Sequence, residues 1–503
     1  MDPVNFGQLT WRATRLFPNA TAVVQDDLHL TFGDLDERIR RVSTLVRAAG
    51  AGRGEPVLLL LPNDWRFPEA LLGTIHAGAV AAPMNVRLGE EALEYVARHS
   101  EARIMIAHRS LGEQAAALGV ERTFYVDADD WLDGVEPAGA AADVETTEPA
   151  MLMYTSGSTG RPKGVLLAHR SKWWQARSTA RCYMLTEADR GLVTGPLYHA
   201  NALWACLLPM LFVGGSVAIM PAWTAEAMLA AVDRHRPTFT SGTPAMFTLL
   251  LKAWDADPSY DLTSLSLLVC GSAPVPEELL ESLQRRLGSV DVLESYGLTE
   301  GGANVLTPRW GIHKLGSTGL PVPGVELRVL DPDDPAVERA PREVGELWTR
   351  SVANLIGYLK QPEVLAERLT ADNWLRTGDL VWRDEQGYVY FSGRVDDMIN
   401  VGGENVYPKE VETILLEHPD VVDVCVVGAP HPVKGSAPVA WVVSRGAALG
   451  EDELKQFFFD RGPAYAHPRR VFFVDTLPVT GTNKLDRKLL QQQAAELVAE
   501  ESP

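Results

Sequence analysis

Cysteine is scarce in this chain. Its 503 residues hold four, Cys182, Cys206, Cys270 and Cys425, far apart and never as a CxxC pair. Zinc and dithiol chemistry therefore gain little support, and a reduced, cytoplasmic setting fits. Positive charge is also in deficit, with 46 Lys and Arg against 66 Asp and Glu, for a net charge of −20. A nucleic-acid partner is not expected from that balance. Any anionic ligand must be met by local lysines, arginines and backbone dipoles. Long uninterrupted apolar runs are missing too. The longest candidate, Leu203 to Met220, is broken by Pro209 and by Gly214-Gly215. It reads as a buried helix, a turn and the strand SVAIM, not as a membrane span. The start, MDPVNFGQLTWRATRLF, lacks the charged beginning and apolar core of a signal peptide. There is no internal repeat and no low-complexity tract.

What is present begins with YTSGSTGRPKGV, Tyr154 to Val165. Its glycines let backbone N–H groups turn toward one anion, its hydroxyls donate hydrogen bonds, and Lys163 adds a point charge. That composition suits a polyphosphate-wrapping loop, and equally a flexible surface turn. Apolar runs on both sides, Met151 to Met153 and Val165 to Ala168, place it between ordered elements. It is not a Walker loop, which needs Gly-Lys-Ser/Thr; here Gly164 and Val165 follow Lys163.

Hydrophobic content of 46% and charged content of 22% describe an ordinary globular protein long enough for several units. Short β-rich runs alternate with helical patterns. The expected strands are PVLLLL (56–61), ARIMIAH (102–108), SVAIM (216–220), SLLVCG (266–271) and VELRVL (325–330). Leu35, Ile39, Val42 and Val46 share one helical face before Gly50; Leu279, Leu280, Leu283 and Leu287 do so before Gly288. This alternation predicts an α/β fold with mixed, largely parallel sheets flanked by helices. A boundary is expected near 395, giving domains 1–395 and 396–503. DEQG (384–387) predicts a hairpin turn. With its centre between Gln386 and Gly387, Asp379 faces Arg394. That pair reads either as a cross-strand ion pair, worth roughly 0.2–1 kcal/mol, or as a ligand clamp.

Taken together, YTSGSTGRPKGV, PLYHANAL (196–203), GSAP (271–274), ESYGLTE (294–300), GYLKQPE (357–363), LRTGDL (375–380), GRVDDMINVGGENVYPKEVE (393–412) and LPVTGTNKLDRK (477–488) resemble, in order, the motifs of the adenylate-forming superfamily. That superfamily comprises acyl-CoA synthetases, firefly luciferases and peptide-synthetase adenylation domains. The resemblance runs over nearly the whole chain. It implies a large N-terminal domain, a small mobile α+β C-terminal domain, and a hinge at Asp396. It implies an acid–CoA ligase: a carboxylate and MgATP give acyl-AMP, and a thiol, usually that of coenzyme A, then takes the acyl group.

The same resemblance assigns roles. Thr155, Ser156, Gly157, Ser158, Thr159, Gly160 and Lys163 would cradle the phosphates. Glu300 would help hold Mg²⁺. Tyr296 would stack on adenine, with Gly271, Ser272, Ala273, Pro274, Glu294, Ser295, Gly297 and Thr299 around the nucleotide. Asp379 would bind the ribose hydroxyls, with Arg394 near ribose and phosphate. Lys484 would bridge carboxylate and α-phosphate, and His199 would gate the passage between nucleotide and acyl group. Gly402 and Gly403 would leave room for a pantetheine arm. Asn201, Ala202, Trp204, Thr243, Met246, Gly297, Asn304 and Val305 would line the acyl pocket.

Two stretches depart from the family pattern. GAPHPVKGSAP carries Lys434 and Ser436 where a WGE-like stretch is common, and AYAHPRR (464–470) replaces a YKxPK-like one. Lys434, Arg469 and Arg470 could meet anionic coenzyme A. Alternatively, an acyl-carrier protein's pantetheine thiol is the acceptor. No arginine is placed to hold a second carboxylate, so a bulky apolar acid, aromatic, alicyclic or fatty, is expected.

Overall fold

A computed structural model describes residues 3–128, 131–155, 162–273, 275–401, 404–431, 434–446, 449–480 and 485–500. By internal contacts the chain forms two units. One comprises Met1–Leu327 with Thr349–Leu375, the other Arg328–Trp348 with Arg376–Pro503. By contacts the chain therefore passes between these units inside the strands Glu326–Leu330, Gly345–Arg350 and Leu375–Arg383.

The larger unit is built on two sheets. In one, the strands Asp291–Leu298, Leu267–Gly271, Phe239–Gly242, Arg190–Val193, Ser216–Ile219 and Thr21–Gln25 run parallel in that spatial order. Antiparallel strands extend both edges. In the other, Pro149–Thr155, Val80–Pro83, Pro56–Leu60, Ile104–Ala107 and Arg122–Tyr125 run parallel, and Lys163–Ala168 adds antiparallel beside Pro149–Thr155.

The strands are apolar on both faces because each sheet is covered on both faces. Successive residues alternate between cores. Val23, Val193, Leu267 and Val269 join a central core that also takes Val57, Leu59 and Met151 of the second sheet. Their neighbours Val24, Leu192, Leu268 and Cys270 face an outer layer with Met228, Phe247 and Leu283. Leu58 and Leu60 face a third core with Leu93 and Val96. The helices Phe32–Ala48, Phe67–His76 and His169–Cys182 fill the space between the sheets. Phe32–Ala48 starts on a capping box, in which Thr31 Oγ1 accepts from the Asp34 N–H and Asp34 accepts from the Thr31 N–H.

The Leu203–Met220 run forms a π-helical turn, Ala202–Leu207, then the helix Leu208–Val213, a left-handed Gly214 and the strand Ser216–Ile219. Among the described residues no helix is long and apolar enough to cross a membrane.

The smaller unit has a four-stranded sheet ending in the hairpin Leu375–Arg383/Val389–Arg394. Its second sheet centres on the long antiparallel pair Val421–His431 and Gly435–Ser444. The same alternation recurs. Val424, Val426, Ala440 and Val442 pack with Leu415, Leu454 and Phe458, whereas Cys425, Val427, Val439 and Trp441 pack with Leu490 and Ala494.

Two expected outcomes follow from this packing. Gly319 has φ +112°, and a Cβ there would lie 2.2 Å from the Leu306 carbonyl, whereas Gly50, at φ +91°, has nothing within 4 Å. Gly50→Ala should cost about 1–2 kcal/mol from backbone strain alone, and Gly319→Ala at least ~2 kcal/mol more. Equal thermal-unfolding shifts would contradict the close approach. His169 is fully buried, and its Nδ1 accepts from the Phe6 N–H at 3.0 Å. Burial lowers its pKa from 6.5 to about 4. The unfolded chain thus takes up a proton between those values that the folded chain refuses. Stability should fall as pH drops from 6.5 to 4, by on the order of 3 kcal/mol from this group. A His169→Asn variant that kept the wild-type slope in denaturant titrations would refute the assignment.

Candidate active site

Parallel strands open their carboxyl ends on one edge, and the expected site residues follow those ends. PLYHANAL comes after Arg190–Val193, Thr243 after Phe239–Gly242, Ser272 and Ala273 after Leu267–Gly271, while Glu294 to Gly297 end Asp291–Leu298. Asn201 joins three of these segments. Its Nδ2 donates to Ser272 Oγ at 2.9 Å, and its Oδ1 accepts from Ser241 Oγ at 3.1 Å. Ser272 sits at φ +67°, an unusual value for serine. Gly271 has no room for a side chain, because a Cβ would lie 2.6 Å from the carbonyl and hydroxyl oxygens of Ser295. His199 is half-buried, and its Nδ1 accepts weakly from the Asn201 N–H at 3.4 Å.

Sequence reasoning missed Asn63, which fixes this segment from the second sheet's side. Its Nδ2 donates to the Gly195 and Met220 carbonyls at 2.9 and 3.1 Å, and its Oδ1 accepts from the Leu197 N–H at 2.8 Å. The signal was PND directly after LLLL, a polar turn at a strand's carboxyl end.

The candidate phosphate loop has a firm base. Thr155 pairs with Lys163 and Tyr154 with Gly164 across an antiparallel hairpin. Ser156, Gly157, Ser158, Thr159 and Gly160 lie outside the described residues, as do Pro274, Gly402, Gly403 and Lys484. The short strand Gly357–Tyr358, from GYLKQPE, pairs with Leu166 and Val165. Tyr358 then donates its hydroxyl to Glu300 Oε1 at 3.2 Å, and the Leu355 N–H donates to the Glu300 carbonyl at 2.7 Å. Burial, with the Glu300 charge beside it, raises the Tyr358 phenol well above its usual value, so it remains a donor. Glu300 keeps Oε2 for a hard cation, a donor type that fits Mg²⁺.

The candidate acyl pocket draws on Ala202 and Trp204 of the π-turn, Thr243 and Met246 at the start of the helix Pro244–Ala256, Gly297, Asn304 and Val305. Thr243 caps that helix, accepting from the Met246 N–H at 3.4 Å. Asn304 is fully buried. Its Nδ2 makes a long bond to Thr349 Oγ1 at 3.4 Å, and its Oδ1 has no hydrogen-bond partner among the described residues.

A second missed residue packs against Trp204. Lys172, in HRSKWWQ, is fully buried on the helix His169–Cys182, its Nζ 3.6 Å from the ring centre of Trp204. Among the described residues neither Lys172 Nζ nor Trp204 Nε1 has a hydrogen-bond partner. Burial pulls the ammonium down to about 7. The signal was helical spacing: His169, Lys172, Ala176 and Thr179 share the buried face.

In the smaller unit, Asp379 does face Arg394, with Arg394 Nη1 2.6 Å from Asp379 Oδ1 and the carboxylate almost fully buried. The turn is one residue wider than expected, since Asp384 pairs with Tyr388 and Gly387 takes φ +86°. A bulge between Leu380 and Val381 then restores the register. Asp396 is exposed on the short 3₁₀ turn Val395–Asp397. Arg470 is engaged by Glu451 at 3.1 Å, and Arg469 Nη1 lies 2.9 Å from His467 Nε2. Lys434 Nζ belongs to a half-buried side chain whose backbone N–H donates to His431.

Comparison with known proteins gives the family. The AMP-binding enzyme family model matches residues 10–359, and the AMP-binding enzyme C-terminal domain model matches 410–484. The chain is 37% identical to a feruloyl-CoA synthase of an Amycolatopsis species, across 96% of this chain and 98% of that one. It is 32% identical to the 3-[(3aS,4S,7aS)-7a-methyl-1,5-dioxo-octahydro-1H-inden-4-yl]propanoyl:CoA ligase of Rhodococcus jostii, across 96% and 97%. ATP-bound MatB from Rhodopseudomonas palustris superposes with a TM-score of 0.91 at 28% identity, covering 98% and 99%. The chain belongs to the AMP-binding enzyme family, within the adenylate-forming superfamily, as an ATP-dependent, AMP-forming acid–CoA ligase.

Proposed function

We propose that this ligase activates a bulky aromatic or alicyclic carboxylic acid and passes it to free coenzyme A. The observation that carries the reading is the Asn201–Ser272 bond, which ties the acyl-pocket segment to the nucleotide segment. Adenylation needs those two sites to abut, because a carboxylate oxygen must reach the α-phosphorus. In that step the new P–O bond forms as the bond to the β-phosphate oxygen breaks, releasing pyrophosphate. In the second step the coenzyme A sulfur attacks the acyl carbon, its proton is lost to solvent, and AMP leaves.

Thr155 and Lys163, with Ser156 to Gly160 between them, hold the β- and γ-phosphates. Glu300, steadied by Tyr358, holds Mg²⁺, which neutralises phosphate charge. Tyr296 and Ser272 flank adenine. Asp379 takes the ribose hydroxyls, while Arg394 orients that carboxylate and adds positive charge. His199 positions the acyl group at the junction. Lys484 stabilises the charge that develops between carboxylate and α-phosphate. Domains 1–395 and 396–503 move about Asp396 between the steps; Asp396 is exposed, which leaves its backbone free to turn. Lys434 faces the coenzyme's phosphates, since Arg470 is already paired. The four cysteines, buried and unbridged, suit a cytoplasmic location.

Mass spectrometry of products from ATP, Mg²⁺ and a pool of aromatic, alicyclic and fatty acids should find acyl-CoA only when coenzyme A is present. Acyl-AMP that accumulates and never reaches coenzyme A would point instead to a carrier-protein thiol. Lys484→Ala should lose adenylation by ~10²–10³-fold yet convert supplied acyl-AMP to thioester. Equal loss of both half-reactions would overturn its role. His199→Ala should impair acid and thiol entry, and unchanged kinetics in both steps would refute the gate.

A further inference from the structure

Two buried donors meet at the π-turn with no acceptor for either among the described residues. Lys172 Nζ lies over the Trp204 indole at 3.6 Å, and neither it nor Trp204 Nε1 has a hydrogen-bond partner. Both side chains are almost completely buried, at 0% and 4% exposure. An ammonium stacked on an indole face is attracted to the ring, the more so when desolvated. Leaving a buried charge without hydrogen bonds costs several kcal/mol. The stacking alone does not offset the burial.

The place where this deficit occurs is informative. Trp204 sits on the π-helical turn Ala202–Leu207, which directly follows His199 and Asn201. Such wide turns recur at functional sites, because they displace a side chain from the normal helical ladder. The helix bearing Lys172 also packs on the strand Gly302–Leu306. There Gly302 leaves room for Gln175, since a Cβ would lie 1.9 Å from Gln175 Oε1. Asn304, on the same strand, is also buried and its Oδ1 has no partner. The helix, the π-turn and the strand pack on one another, and each carries a buried polar atom without a hydrogen-bond partner among the described residues, while the π-turn continues from the Asn201 that bonds Ser272.

We propose that Lys172 and Trp204 Nε1 form a specificity subsite for a hydrogen-bond-accepting oxygen at the end of the acid opposite its reactive carboxylate. The oxygen is a ring hydroxyl, a ketone or a second carboxylate; their shared chemistry is the acceptor. This deepens, and rests on, the ligase reading above, and it replaces the expectation of a wholly apolar acid. The subsite binds ground state and transition state alike, so its loss appears mainly in KM. An apolar analogue would leave both donors buried and unpaired, which gives strong discrimination.

The test uses full-length enzyme and pyrophosphate release. The acids are arylpropenoates bearing hydrogen, methyl, hydroxyl, acetyl or carboxylate on the far ring carbon, with alicyclic keto acids beside their deoxo counterparts. At least one oxygenated acid should exceed its methyl or deoxo partner tenfold or more in kcat/KM. The hydroxyl, acetyl and carboxylate arms tell a neutral acceptor from an anion. In Lys172→Met that ratio should shrink to threefold or less, chiefly through KM, while thermal stability rises because the unpaired amine is gone. Should Lys172→Met not fold, Trp204→Phe keeps the ring, removes the N–H, and should lower the same ratio several-fold. An unchanged ratio in the folded variant overturns the subsite, as does a wild-type preference for the hydrocarbon partners. Absence of pyrophosphate with every acid, in a pool that also includes fatty acids, would overturn the ligase reading itself, and the subsite with it.

Discussion

The site depends on one constraint, the parallel pairing of five adjacent strands between Asp291–Leu298 and Ser216–Ile219. Parallel strands require crossovers, and crossovers leave every carboxyl end on the same edge. The segments after those ends are distant in sequence yet neighbours in space. Position 201 reaches 272 across a gap of 71 residues only because four strands deliver both to that edge. The second sheet contributes by the same rule, since Asn63 follows Pro56–Leu60 and bonds to the Gly195 carbonyl. Hydrophobic alternation secures the register, because a one-residue slip would turn Val23 or Leu267 into the wrong core.

Loops at such an edge cannot rely on burial alone. Each chain turn exposes polar backbone that the sheet no longer satisfies. Asn63 and Asn201 answer that need with side-chain amides, which both donate and accept and so can tie two or three segments at once. Bonds of this sort are worth only about 1 kcal/mol each. Their value here is geometric: they hold the candidate acyl and nucleotide segments in one arrangement before any ligand arrives, which lowers the ordering cost of binding. Tyr358 does the same for Glu300, and the hairpin register sets Thr155 opposite Lys163.

The layered fold was legible because both covered faces write themselves into each strand as an unbroken apolar run. The five expected strands all form, trimmed by a residue or two at their ends. The acid–base pairing of Asp379 and Arg394 was also legible, though for an incomplete reason. The turn at Gly387 is wider than a two-residue turn, and a bulge near Leu380 cancels the offset. A turn signal fixes where a chain reverses but not how many residues it spends doing so. The π-turn at Ala202–Leu207 was read as ordinary helix, since its apolar residues fit either ladder. Asn63 was passed over because a polar residue after a strand is usually a simple turn. Lys172 escaped because lysine on an apolar helix face commonly extends its amine to solvent, and nothing local to HRSKWWQ reveals that Trp204 closes over it.

Lys172 also shows where local rules and function part. The helix His169–Cys182 is a core element between two sheets, and its buried face includes Trp173, Ala176 and Ala180. Any aliphatic residue at position 172 would serve that packing better than an amine with no acceptor. Sequences that fold well satisfy propensity, packing and polar pairing together, and departures concentrate where a ligand completes the set. His169, three residues earlier, makes the contrast: it is equally buried, but it accepts the Phe6 N–H and belongs to the core. The same helix thus carries an imidazole that the protein engages through Nδ1, although its Nε2 stays unpartnered, and an amine with no hydrogen-bond partner at all among the described residues. Burial by itself does not separate the two; what does is that Lys172 has a single polar side-chain atom and that atom is unpartnered, whereas His169 keeps one bond to the core. Lys172 thus places the incomplete interaction beside Trp204, on the π-turn that continues from Asn201.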